Sequence, residues 1–288
     1  MRFVSLFFFC FIFSVGNCAK KKSVILTARA NAGMFSTFND VLSALYCYEK
    51  GYYNFLEVDF KKGGVYYDPM VGPNWWNYYA QPISLGDAKK TKVKKVNGFQ
   101  LPYMLPRRKI CNYPRKKAHS LIQKYIHIKP HILEKIDQFT QLELDGLFVF
   151  GIHYRGTDKV SEAPRISYEE VLVPLEREIR KLRGADYKIF VATDEALFLE
   201  FILSKYPNVC YYEQVKRSYD NTPLHLGKQT PYKSGEEALI DCILLSKADV
   251  LIRTASSLSL WSTYFNPSQR VINLSYPYCD PKCSSVRR

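Results

Sequence analysis

Residues 147–195 read LFVFGIHYRGTDKVSEAPRISYEEVLVPLEREIRKLRGADYKIFVATDE. An apolar run over 147–153 ends in polar residues, and 167–183 repeats its apolar positions at helical spacing, with Pro174 as an irregularity. Residues 187–192 are apolar again and end in Thr193-Asp194-Glu195. The pattern predicts strand, polar loop, helix, strand and polar loop. It continues downstream as helix 196–205, strand 209–212, helix 234–246, strand 250–253, helix 258–265 and strand 271–274. Alternation of this kind argues for a parallel sheet with helices on both faces.

Upstream, strand 23–28 leads through a small-residue turn, 29–34, into a helix over 37–50. Phe38, Val41, Leu42, Leu45 and Tyr46 share one face of that helix, and strand 54–60 follows Gly51. This is a second βαβ unit, so the chain reads as α/β with two lobes, 20–145 and 146–288, and a cleft between them. Between 61 and 115 the periodicity breaks up. Asp68-Pro69 and Gly72-Pro73-Asn74 mark turns, and Trp75, Trp76, Tyr78 and Tyr79 crowd together. Those rings form either a minor core under a long loop or a surface on which sugars stack. Residues 89–95 and 107–117 carry much of the positive charge and are expected to face solvent or a partner. Residues 118–144 are mainly helical, interrupted at Pro130.

The 288 residues are 47% hydrophobic and 15% aromatic, ample for a packed core. The formal net charge of +14 favours anionic partners, such as a phosphorylated donor. No zinc-finger spacing, RNA-recognition motif or basic heptad helix is present, so nucleic acid is not an expected partner. Met1-Arg2, the apolar run 3–15 and the small residues at 16–19 form a leader of signal-peptide pattern. A membrane span needs about 20 apolar residues, so a cleaved signal over 1–19 is preferred. Lys20, Lys21 and Lys22 keep a signal anchor as the alternative. Either places the protein in the secretory pathway or outside the cell, with no other membrane contact expected. Six of the eight cysteines lie beyond the leader. Cys47 and Cys242 sit in apolar helical contexts and are expected as buried thiols. Cys279 and Cys283 lack a matching Cys or His pair, so no metal is expected there.

Three loops follow three strands of the second half, and in an open parallel sheet such loops converge on a ligand crevice. They are His153-Tyr154-Arg155-Gly156-Thr157-Asp158-Lys159, continuing to Glu162; Thr193-Asp194-Glu195; and Arg253-Thr254-Ala255-Ser256-Ser257. A guanidinium such as that of Arg155 matches phosphate oxygens with planar, permanently charged donors. The small-residue turn through Gly33, Met34 and Phe35, at the start of the first helix, is suited to anions through its backbone N–H groups. Each residue also has a plainer reading. His153 fits a core histidine, Arg155 and Asp158 fit a loop-closing ion pair, and Asp241 fits a helix-face carboxylate paired with Lys247 or Arg253.

GIHYRGTDKVSEA, VATDEALFLEF and EALIDCILLSKADVLIRTASSLS resemble, in order and spacing, three motifs of the α-1,6-fucosyltransferase and nodulation fucosyltransferase family. The resemblance covers roughly 146–275. It implies two Rossmann-like lobes of GT-B type, and metal-independent, inverting transfer of fucose from GDP-fucose to a glycan acceptor, with no cofactor. It implies further that Arg155 binds the β-phosphate, that His153 helps hold the nucleotide, and that Asp241 accepts hydrogen bonds from guanine. Ser257, next to Ser256, occupies a phosphate-contacting position. Asp158, Lys159 and Glu162 match residues around the reacting sugar, with Glu162 the candidate general base and Lys159 a stabiliser of the leaving group. Asp194 is structural or orients the site. The family usually carries two adjacent arginines where this chain has Arg155-Gly156, and a polar residue where it has Leu258. Those departures leave open a different nucleotide sugar, and a catalytically idle carbohydrate-binding protein using residues 75–79 is the reading from another class.

Overall fold

The computed structural model describes residues 22–61, 63–88, 92–102, 114–156, 165–219 and 230–275. Two sheets organise them. The first has four strands and the second five.

The first sheet is built on β1 (Lys22–Leu26), α1 (Met34–Glu49) and β2 (Tyr53–Val58), with β1 and β2 parallel as the βαβ pattern requires. Helix α1 begins at Met34, earlier than its periodicity suggests. Gly33 is the extended N-cap, so Met34 and Phe35 belong to the first turn and not to the preceding loop. Arg29, in that loop, clasps the helix: its Nε lies 2.6 Å from Asp40 Oδ2, and its Nη2 donates to Ser36 O and Oγ.

The segment expected to be irregular supplies two further strands. β3 (Ser84–Gly86) pairs antiparallel with β2, and β4 (Val93–Val96) pairs parallel with β1. They escaped the sequence reading because β3 has three residues and β4, Val-Lys-Lys-Val, is exposed along most of its length. Lysines on an edge strand also deter pairing with other chains. The short helix α2 (Trp76–Tyr79) settles the aromatic cluster as core. Trp75, Trp76 and Tyr79 are wholly buried, and Trp75 Nε1 donates to Gly63 O at 2.8 Å. The sugar-stacking reading of these tryptophans is therefore withdrawn.

Helices α3 (Arg115–Tyr125) and α4 (Pro130–Glu143) separate at Pro130, which opens α4 at a position needing no N–H. The second sheet follows: β5 (Phe148–Tyr154), α5 (Tyr168–Lys181), β6 (Tyr187–Thr193), α6 (Ala196–Lys205), β7 (Val209–Cys210), α7 (Pro231–Ser246), β8 (Val250–Arg253), α8 (Ser257–Phe265) and β9 (Arg270–Asn273). All four of its strand pairings are parallel. Strands β5, β6 and β8 are buried along nearly their whole length, as expected for a parallel sheet covered on both faces. A reciprocal capping box starts α5, where Ser167 Oγ accepts from Glu170 N–H and Glu170 Oε2 accepts from Ser167 N–H.

One hydrophobic core runs under both sheets. Trp261 of α8 packs on Phe35 and Phe38 of α1, and its Nε1 donates to Asn39 Oδ1 at 2.7 Å. The N-terminal turns of α1 and α8 are thus held in one packed unit.

Candidate active site

The order β7-β6-β5-β8-β9 places the topological switch between β5 and β8, where the chain has crossed from one side of β5 to the other. Ligands of open α/β sheets bind beyond the carboxyl ends of the strands at such a point. His153 pairs with Arg253 in that register. Past the strand ends, Thr254 N–H donates to His153 O, and Arg155 N–H donates to Thr254 Oγ1, both at 3.0 Å.

A pocket opens at this point. Its walls come from the ends of β5 and β6, from α7 and α8, and from the loop after β2: Tyr66; His153 at the end of β5 and Arg155 just beyond it; Thr193 and Asp194 at the end of β6; Asp241 of α7; Leu258 of α8. His153, Arg155, Asp194 and Asp241, spread over 89 positions of sequence (153 to 241), therefore line one cavity.

Their chemistry differs. His153 is buried, its Nδ1 has no partner among the described residues, and burial with the nearby Arg253 and Arg155 lowers its pKa to about 3. The ring is neutral at physiological pH and can donate or accept a hydrogen bond without adding charge. Asp241 is as deeply buried, and its Oδ1 has no partner among the described residues. Burial raises its carboxyl to about 7, Glu237 acting in the same direction and Arg217 against it. Neither Lys247 nor Arg253 pairs with it; the opposing cation is Arg217, whose Nη1 and Nη2 donate to Val215 O and Tyr212 O. A buried acceptor with no protein partner is costly unless a ligand or water completes it. Asp194 orients the β5 loop. Its Oδ1 accepts from Gly156 N–H at 3.3 Å, and its Oδ2 lies 3.7 Å from Arg155 Nε.

The remaining candidates divide. Ser256 Oγ is committed to capping α8 by accepting from Leu258 N–H, and Ser257 is the first residue of that helix. Leu258 makes an apolar part of the pocket wall. The side chains of Met34 and Phe35 are buried, leaving only their backbone for a ligand. Burial raises the pKa of the Tyr66 hydroxyl, with the Met34 backbone acting against it. Gly33 is exposed, with open space beside it. Asp158, Lys159 and Glu162 lie outside the described residues, as do Cys279, Cys283 and the leader. Cys47 and Cys242 are buried thiols. Among the described residues there is no cluster of three or more His, Cys, Asp or Glu side chains able to hold a metal ion, and no helix is long and apolar enough to cross a membrane.

Sequence reasoning missed Tyr66 and Arg217. Tyr66 sits in an aperiodic loop, next to Tyr67 and between the turn residues Gly63-Gly64 and Asp68-Pro69, so no local signal singles it out. Arg217 follows β7 by several residues and is recognisable only through its position beside Asp241.

The family model described as Nodulation protein Z (NodZ) matches residues 111–282, extending the resemblance of the three motifs back from 146 to 111. A Nodulation protein Z of Bradyrhizobium diazoefficiens is 27% identical over 175 residues, 56% of this chain and 46% of the relative, so the match spans about half of that protein. Among solved structures, NodZ α-1,6-fucosyltransferase soaked with GDP-fucose superposes with a TM-score of 0.53 at 19% identity, covering 90% of this chain and 97% of the other. The same enzyme co-crystallised with GDP gives a TM-score of 0.52 at 19% identity, over 88% and 95%. At this identity the likeness establishes the fold, the two-lobed GT-B type. With the family pattern running through more than half of its length, this chain belongs to the Nodulation protein Z (NodZ) family.

Proposed function

We propose that this chain is a glycosyltransferase that moves fucose from GDP-fucose to a hydroxyl group of a glycan. The observation that carries the proposal is the convergence of His153, Arg155, Asp194 and Asp241 on one pocket at the switch point of a parallel sheet. NodZ α-1,6-fucosyltransferase structures of the same fold were obtained by co-crystallisation with GDP and by soaking with GDP-fucose, which supports a guanine nucleotide as the ligand.

Each group has a task in this reading. The Asp241 carboxylate, whose buried Oδ1 has no partner among the described residues, accepts from guanine N1–H and N2–H, a pattern adenine does not offer. Neutral His153 adds a hydrogen bond to the nucleotide. Arg155, steadied by Asp194, meets the β-phosphate, where a fixed cation stabilises the charge that develops as GDP leaves. Backbone donors at the start of α1, from Gly33 to Phe35, complete the pyrophosphate site, and the Tyr66 hydroxyl donates to a phosphate oxygen. The acceptor oxygen attacks the anomeric carbon from the face opposite GDP, so the configuration inverts. Its proton passes to Glu162, and the bond from the anomeric carbon to the phosphate oxygen breaks with its electron pair leaving on GDP. Lys159 and Asp158 flank the reacting sugar, and no divalent metal enters the scheme. The leader over 1–19 directs the protein into the secretory pathway, with 20–145 and 146–288 as its two lobes.

The test is turnover of GDP-fucose by purified protein with a panel of glycan acceptors. Fucose transfer that falls by roughly 10- to 100-fold in Arg155→Ala, the cost of losing a charged hydrogen bond, supports the proposal. Absence of GDP-fucose turnover with every acceptor and water, in a chain that binds no GDP, sinks it.

A further inference from the structure

Gly156 follows Arg155 and is boxed in on both sides. A Cβ there would stand 1.7 Å from Glu195 Oε2 and 2.9 Å from both Glu195 Cδ and Tyr154 Cε1. Neither wall yields easily. The Tyr154 ring is stacked on Phe198 at 4.1 Å between centroids and meets Tyr168 edge-on. The Glu195 side chain is only 3% exposed. Its Oε1 accepts from Arg165 Nη2 at 2.5 Å and from the Tyr168 hydroxyl. The backbone beneath it is pinned too. Glu195 N–H donates to Thr193 Oγ1, Ala196 N–H to Ser218 O, and Ser218 N–H to Asp194 O.

Glu195 Oε2 itself is buried with no hydrogen-bond partner among the described residues. Leaving a buried carboxylate oxygen unsatisfied costs stability, so its position calls for a reason. The adjoining contacts supply one. Asp194 holds Gly156 N–H and faces the Arg155 guanidinium, while Glu195 closes on the other side of the same residue. Two successive acids of the β6 loop therefore fix one point of the β5 loop, one by hydrogen bonding and the other by steric contact.

We propose that Glu195 is a positioning residue. Its Oε2 is a wall that admits only glycine at 156 and so sets where the backbone carries Arg155 into the pocket. This rests on the reading of Arg155 as a ligand of the donor phosphate. Any side chain at 156 must push the Arg155-Gly156 backbone away from Asp194 and Glu195, and displacements of about 1 Å at a binding group can cost 10²-fold in function. Shortening Glu195 by one methylene withdraws the wall and makes room for a Cβ. The two positions are thus coupled, and their substitutions do not add.

The full chain carrying Gly156→Ala, Glu195→Asp, or both is titrated with GDP, with thermal unfolding recorded in parallel. Gly156→Ala is expected to weaken GDP binding by roughly ten- to a hundredfold while remaining folded at the titration temperature. Glu195→Asp alone loses only a few-fold, and the double variant regains about tenfold over Gly156→Ala. The proposal is overturned if Gly156→Ala binds GDP like the parent, or if the double variant binds no better than Gly156→Ala. It is overturned equally if melting temperatures fall and recover while GDP affinity stays constant, because the wall then acts on stability alone. Should Gly156→Ala not fold, the double variant decides: it must fold and bind GDP within a few-fold of Glu195→Asp. Failure of the donor-site reading is recognised separately, since the parent protein would then not bind GDP at all.

Discussion

The two sheets are built from the same unit and carry very different shares of the site. In the second, every strand pairing is parallel, the switch point lies at β5 and β8, and polar residues stand where β5, β6 and β8 end. In the first, β3 joins antiparallel, β4 presents lysines, and the loop after β1 turns inward on its own helix through Arg29 and Asp40. Among the described residues, its lobe contributes one side chain to the pocket, Tyr66, from the loop after β2. The difference teaches that one lobe supplies the charged and polar groups of the pocket, and the other lobe a wall held in place by aromatic packing. Fixing that wall is the task of the Trp261–Asn39 bond and of the buried tryptophans.

Trp75→Ala is the most damaging way to probe the comparison. Removing a wholly buried indole that packs on Phe60 and Tyr66 is expected to cost about 3–5 kcal/mol, read by denaturant unfolding. A variant as stable as the parent would contradict the assignment of this cluster as core. Next in size is Asp241→Asn, which leaves the phosphate groups untouched and removes the paired acceptor. GDP affinity should fall roughly tenfold or more, and preference over ADP should shrink with it. Equal preference in parent and variant would move base recognition elsewhere.

The same carboxyl predicts a pH effect. Its folded pKa, about 7, lies above its unfolded value of 3.8. The stability linked to its proton is therefore full below about 3.8 and is lost as pH rises through about 7. Binding of guanine takes the ionised form, so GDP affinity should rise between pH 6 and 8 more steeply in the parent than in Asp241→Asn. Superposable pH profiles would remove Asp241 from the guanine site. Tyr66→Phe should give the smallest change, a loss of roughly 2- to 10-fold in GDP affinity, because a neutral hydrogen bond at the wall is lost while the ring remains. An unchanged affinity would confine Tyr66 to packing.

What the sequence made legible follows the same division. The second sheet was readable strand by strand because both of its faces are buried, which leaves continuous apolar runs between helical periods. The polar ends of those runs then named His153, Arg155 and Asp194, whereas Asp241, inside helix α7, was singled out only by the resemblance of its motif. The first lobe was legible only through β2. β3 and β4 are short edge strands whose side chains mostly meet solvent, and Tyr66 reaches the pocket from an aperiodic loop, so neither leaves a periodic trace. Trp75 and Trp76 illustrate the limit in another way. A cluster of rings in sequence fits a core and a sugar platform equally well, and only the burial of their faces separates the two.

The central claim is that Arg155 and Asp241 are two ends of one guanine-nucleotide site, and calorimetric titration of GDP tests it most directly. The account predicts saturable binding of GDP by the parent, weaker binding of ADP, and a loss of roughly 10- to 100-fold for GDP in Arg155→Ala. Absence of GDP binding by the parent, or equal affinity of parent and Arg155→Ala, would contradict it.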